Sequence, residues 1–169
     1  MNELPRRKQL RIQGYDYSQN GYYFITICTK NKRRLFGEIV VGADIIRPKL
    51  SEYGEIMETA IKALSDHYPN VRVDRYVIMP DHVHMILIIM SDKENSNGRM
   101  ISAPTIMTII GQMKRWVSKR IGFPIWQKSY FEHIIRDERD YISKIEYISN
   151  NPVKWVFEKN DTNSKSIDL

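Results

Sequence analysis

Cys28 is the only cysteine among 169 residues, which excludes an intramolecular disulfide and any structural zinc site built from several thiolates. No apolar run approaches the ~20 residues needed to span a bilayer. The N-terminal stretch MNELPRRKQLRIQG has no apolar core of the signal-peptide kind. These absences predict a cytoplasmic protein with no membrane partner. Internal repeats, long low-complexity linkers and composition breaks are also missing. With 42% hydrophobic and 27% charged residues, the chain is expected to form one domain over 1–158. The polar segment 159–169 is expected to be a flexible tail, and 91–99 (SDKENSNGR) a mobile loop.

Acidic residues are in the minority. Twenty-six Lys and Arg against twenty Asp and Glu leave a formal charge of +6, which favours an anionic partner, nucleic acid first among them. The same balance also suits a basic protein with no such partner, so charge alone names nothing.

Hydrophobic spacing sets out the elements. Tyr22 to Thr29 (YYFITICT) is dense in aromatic and β-branched residues and reads as a buried strand, and Gly37 to Val41 reads as a short strand or hairpin arm. Ser51 is an N-cap for an amphipathic helix from Glu52 to about His67. Val71 to Met79 and His82 to Met90 form a hairpin around Pro80 and Asp81. A second helix runs from about Pro104 to Ile121, a last strand over Tyr130 to Arg136, and a third helix from Asp137 to Asn151, where Pro152 ends it. The pattern predicts an α+β fold close to the ferredoxin-like plan, an antiparallel sheet with its helices packed on one face.

Four residues on these elements suggest chemistry. His82 and His84, two apart on a strand, present two imidazoles on one face as potential metal ligands, although two histidines satisfied by hydrogen bonds would look the same. On the third helix, with Tyr141 as origin, Ile142, Ile145 and Ile148 fall within about 100° and mark the buried stripe, and Tyr147 lies roughly 120° away on its flank. Tyr141 then belongs to the core. Asn151 sits one turn beyond Tyr147 on the same side. A metal held by two imidazoles and a carboxamide oxygen can polarise a phosphodiester that a tyrosine hydroxyl attacks.

The segments YVIMPDHVHMILII (76–89) and IWQKSYFEHIIRDERDYISKIEYISNNPVKW (125–155) resemble the single-tyrosine HUH transposases, of the insertion-sequence and REP-associated types, over about residues 14–155. The resemblance implies a ferredoxin-like fold with the HUH motif on a central strand. His82 and His84 would be the histidine pair, Tyr147 the catalytic tyrosine and Asn151 the polar third ligand. It also implies a Mg2+ or Mn2+ ion and a covalent intermediate joining Tyr147 to a DNA 5′-phosphate while a 3′-hydroxyl is kept for rejoining. Imidazole suits Mn2+ better than Mg2+, and weak metal binding is expected without substrate. No general base stands out, since Glu132 and His133 point to opposite faces of the last strand.

Single-stranded or hairpin DNA is the expected partner. The candidate DNA contacts are Arg6, Arg7, Lys8 and Arg11 near the N-terminus, Lys30, Lys32, Arg33 and Arg34 after the first strand, and Lys114, Arg115, Lys119 and Arg120 on the second helix. Monomeric and homodimeric forms both fit. Two rivals stand beside this reading: a non-catalytic hairpin DNA- or RNA-binding module of the same fold, and a small-molecule metal hydrolase. The first would be expected to have lost one of the four residues. The second is disfavoured because no carboxylate shares the histidines' strand face.

Overall fold

Alternation along strand β1 (Gly21–Cys28) divides the molecule into two layers. Tyr23, Ile25 and Ile27 are fully buried on one side of the sheet, while Phe24 meets Ile86 and Ile148 on the other. The computed structural model describes residues 20–43, 45–90 and 104–164, with side chains up to residue 158. After β1 come β2 (Gly37–Val41), β3 (Ile46–Leu50), α1 (Glu52–Lys62), α2 (Leu64–His67), β4 (Val71–Met79), β5 (His82–Ile89), α3 (Ile106–Ile121), β6 (Phe131–Ile135) and α4 (Glu138–Ser164). The 91–99 segment and the basic residues near the N-terminus lie outside the described residues.

The main sheet has the order β4-β5-β1-β6, and every pairing is antiparallel. With the β2–β3 hairpin set aside, the chain's third strand lies between its first and its second, and its fourth borders the first on the other side. That is the ferredoxin-like arrangement, and it makes β1 and β5 the central strands. The α+β antiparallel class is therefore found as expected, but the helices are not confined to one face. α1 and α3 bury Met57, Ile61, Ile106, Ile110 and Val117 against Val83, Met85 and Leu87. α4 lies on the opposite face, over Phe24 and Ile86. Both faces of β5 are apolar past His84, so each requires a cover.

Local chemistry accounts for most boundaries. Ser51 caps α1 by accepting from the Gly54 N–H, and Gly122 closes α3 in the left-handed conformation, φ 96°. A bulge between Val73 and Arg75 resets the alternation of β4, so that Val73 and Tyr76 both reach the larger core. Asp74 accepts a hydrogen bond from the Tyr141 hydroxyl at 2.8 Å, tying β4 to α4. Gly54 is required by closeness rather than by φ. A Cβ there would lie 2.2 Å from the Phe36 carbonyl oxygen, which already accepts from Ser51 N–H, and 3.0 Å from Leu50 Cβ. Gly54→Ala should lower stability by about 1–3 kcal/mol, read as a drop in thermal midpoint; an unchanged midpoint would contradict this packing.

Three expectations need correction. α4 does not stop at Asn151 but continues through Pro152 to Ser164, into the segment expected as a tail. A proline inside a helix costs about 3 kcal/mol. Here Pro152 is buried, Val153, Trp155 and Val156 are half-buried, and the helix packs on β2 and β3, which outweighs that cost. Ile142 is 47% exposed and outside the stripe. The sheet-facing line runs through Tyr141, Ile145, Ile148, Pro152 and Trp155, centred on Ile148 rather than on Tyr141, which is half-buried. Finally, Gly37 to Val41 is one arm of a hairpin whose other arm, β3, was not expected and carries Pro48, a residue unusual within a strand. It is tolerated because, among the described residues, β3 pairs with β2 alone, at the edge of a two-stranded sheet.

Candidate functional site

His82 opens β5 directly after the turn at Pro80 and Asp81, and His84 follows on the same face. Val83, Met85 and Leu87 go to the other side, beneath α1 and α3. Register fixes the neighbours: His84 lies between Thr26 on β1 and Val77 on β4, and His82 between Cys28 and Met79. The two imidazole centroids are 4.6 Å apart.

Each ring is anchored through Nδ1. Asp81 Oδ1 lies 2.5 Å from His82 Nδ1, and Thr26 Oγ1 lies 2.8 Å from His84 Nδ1. An ionised carboxylate only accepts, so His82 Nδ1–H donates to Asp81, and in that tautomer of the neutral imidazole, the form in which it ligates a metal, the lone pair is on Nε2. That nitrogen faces Asn151 Oδ1 at 3.3 Å. Two acceptors so placed are satisfied by a shared cation, whose neighbouring ligand atoms lie about 3 Å apart at bond lengths near ~2.1 Å. His84 Nε2 is buried without a hydrogen-bond partner among the described residues. An orphaned buried nitrogen costs about 1–3 kcal/mol, and metal ligation would relieve it. The donor set therefore fits a cation held by His82, His84 and Asn151, with Asp81 and Thr26 orienting the rings. Among the described residues no three His, Cys, Asp or Glu side chains form a metal group, and the side-chain oxygen beside His82 Nε2 is the Asn151 carboxamide.

Burial, with lesser contributions from His82 and Lys32, pulls the His84 pKa from its ordinary 6.5 down to about 3, against an opposing pull from Asp81. The ring stays neutral, as a ligand must. Because the folded pKa lies below the unfolded one, the unfolded chain binds more protons between those values. Metal-free stability should fall as pH drops from about 6.5 towards about 3, this ring contributing up to ~1.4 kcal/mol per pH unit. Denaturant unfolding in chelator should show a shallower pH slope for His84→Gln, and equal slopes would exclude this source.

α4 crosses the same face and presents Tyr147, Asn151 and Trp155 at four-residue intervals. The Tyr147 ring stands edge-on to His84 at 5.0 Å and to Phe24 at 5.8 Å. Phe24 stacks on His84 at 5.4 Å, and Trp155 lies 5.9 Å from His82. Tyr147 is 40% exposed whereas Asn151 is 7% exposed, so the phenol sits at the rim and the carboxamide inside. Lys154 Nζ lies 4.9 Å from the Tyr147 ring centroid.

The basic clusters divide. Lys30, Lys32, Arg33 and Arg34 are exposed after β1, at the His82 end of β5, where Thr29 N–H donates to the Asp81 carbonyl. Arg34 lies 5.5 Å over Trp155, and Lys32 Nζ is 3.4 Å from Cys28 Sγ. Arg115, Lys119 and Arg120 are exposed on α3, across the sheet from the histidines. Lys114 departs from the expectation: half-buried, it donates to the Gln127 carbonyl at 2.8 Å, and burial holds its pKa below the usual lysine value. Arg6, Arg7, Lys8 and Arg11 lie outside the described residues. On β6, His133 pairs with Phe24 on the α4 face and is engaged by Asp140 at 2.7 Å, while Glu132 pairs with Ile25.

The structure thus brings His82, His84, Tyr147 and Asn151 together, and adds Thr26, Asp81 and Trp155. Asp81 read as a turn residue, although a carboxylate beside a histidine was a visible signal. Trp155 lay beyond the expected helix end, and Thr26 is reached only through strand register.

No family model matches the chain. It is 34% identical to an uncharacterized protein of Haemophilus influenzae, covering 90% of this chain and 91% of the other. It is 24% identical to a REP-associated tyrosine transposase of Escherichia coli K12, over 86% of this chain and 75% of that one. Among solved structures, a REP-associated tyrosine transposase bound to a REP hairpin shares its fold, with a TM-score of 0.60, 22% identity, and coverage of 91% and 74%.

Proposed function

We propose that the chain is a transposase of the REP-associated tyrosine type, whose fold it shares and to which it is 24% identical, and that it is a metal-dependent single-stranded DNA endonuclease and strand transferase acting beside DNA hairpins. One observation carries this reading: a rim-exposed tyrosine stands edge-on to His84, one of two adjacent imidazoles whose Nδ1 atoms are both tied back. The tyrosine supplies a nucleophile, and the imidazoles leave Nε2 for ligation.

His82 and His84 Nε2, with Asn151 Oδ1, would hold Mg2+ or Mn2+, the imidazoles favouring Mn2+. When bound, the ion would neutralise phosphate charge and ease departure of the leaving oxygen. The Tyr147 hydroxyl attacks phosphorus, forming the Tyr–O–P bond as the P–O3′ bond breaks. The phenolic proton passes to solvent, and the freed 3′-oxygen takes one up. The product is a 5′-phosphotyrosine, and attack by another 3′-hydroxyl reverses the chemistry and joins strands. Phe24 and His84 hold the phenol edge-on, and the Lys154 ammonium adds positive charge where the phosphate must sit. Lys30, Lys32, Arg33 and Arg34 would neutralise the flanking backbone.

Incubating the full chain with end-labelled hairpin DNA and Mn2+ should yield a denaturant-resistant adduct. Binding without any adduct would favour the non-catalytic module instead. Asp81→Asn, which removes the charge behind His82, should weaken Mn2+ binding about 10–100-fold in a calorimetric titration; unaltered affinity would remove Asp81 from the site.

A further inference from the structure

Beyond the metal ligands, α4 carries Trp155 one turn past Asn151, half-buried on the sheet side of the helix and with no part in metal binding or strand transfer as described above. Its ring lies 5.9 Å from His82 and 5.5 Å beneath the Arg34 guanidinium, which reaches it from the exit of β1. Tyr147 and Trp155 are eight residues apart, about 12 Å along the helix axis. A DNA strand with a phosphate at Tyr147 that follows α4 towards the metal ligands would bring one of its neighbouring nucleotides to Trp155. Stacking on indole suits any unpaired base, and a guanidinium beside the ring adds a cation for the backbone and a second flat surface. A metal-binding role alone requires neither feature.

Resting on the strand-transfer reading, we propose that Trp155 and Arg34 form the seat of one unpaired base next to the phosphodiester that Tyr147 attacks, so that the site requires a single-stranded flank.

The test uses the full-length Tyr147→Phe protein, which leaves DNA uncut, and a hairpin oligonucleotide with thymidine flanks whose register the hairpin sets. Fluorescence anisotropy follows binding as an abasic nucleotide is moved along each flank. Trp155→Ala should weaken binding of the intact flank about tenfold and Trp155→Phe less than threefold, since phenyl still stacks. At one flank position the abasic nucleotide should cost the parent protein a similar factor and cost Trp155→Ala nothing further. Arg34→Ala should weaken binding at that same position. If the Trp155→Ala and abasic losses multiply at every position, or if Trp155→Phe loses as much as Trp155→Ala, the base seat is refuted. A missing covalent adduct with the unmodified protein would overturn the catalytic reading while leaving this coupling measurable, so the two failures are distinguishable.

Discussion

Tyr147→Phe should reduce formation of the denaturant-resistant protein–DNA adduct by at least about 10³-fold while leaving the fold intact. The substitution removes only the hydroxyl of a residue already 40% exposed, and the ring contacts to His84 and Phe24 survive in phenylalanine. Hairpin binding should therefore change less than about threefold, because the loss falls on an interaction made only as the new bond forms. Tyr141→Phe provides the contrast. It loses the hydrogen bond to Asp74 and should cost about 1 kcal/mol of stability without affecting the adduct. Gel analysis under denaturing conditions, with thermal unfolding alongside, checks both variants. Retention of the adduct in Tyr147→Phe, or its loss in Tyr141→Phe, would move the nucleophile away from Tyr147.

The second large effect belongs to the imidazole pair. His82→Ala and His84→Gln should each lower Mn2+ affinity by at least about 100-fold, more than Asp81→Asn, because each removes a donor atom rather than the group that orients one. Both should lower adduct formation in parallel at fixed Mn2+, and raising the metal concentration should recover part of it. The two are expected to differ in stability. His84 is 4% exposed and stacks on Phe24, so its replacement disturbs packing. His82 lies at the strand start, held by Asp81. Metal titration of the folded variants separates ligation from packing, and affinity that survives both substitutions would place the metal elsewhere.

Most of the fold could be read along the chain because its signals are local. YYFITIC and HVHMILII carry the composition of buried strands, Ser51 and Gly122 mark helix ends, and the Pro80–Asp81 turn joins two strands that pair over their full length. The failures share a cause. Pro152 is a strong local stop, overridden by downstream packing on a hairpin one of whose strands, β3, was itself not expected. Lys114 looked like any surface cation on a helix, yet the Gln127 carbonyl draws it inward. Ile142 is apolar and one residue from Tyr141, but the line that faces the sheet is set by Ile148.

By itself the sequence determined that His82 and His84 share a strand face and that Tyr147 and Asn151 share a helix flank, because backbone periods of two and 3.6 are properties of the chain. Only the tertiary structure decided that this flank lies on that face. It did so because β1 and β5 are apolar on both sides, which requires α4 to cover the side that α1 and α3 leave open. The same placement brought Thr26, Asp81 and Trp155 to the histidines. Strand register and helix docking join residues that are distant in the chain, and no local signal records those pairings.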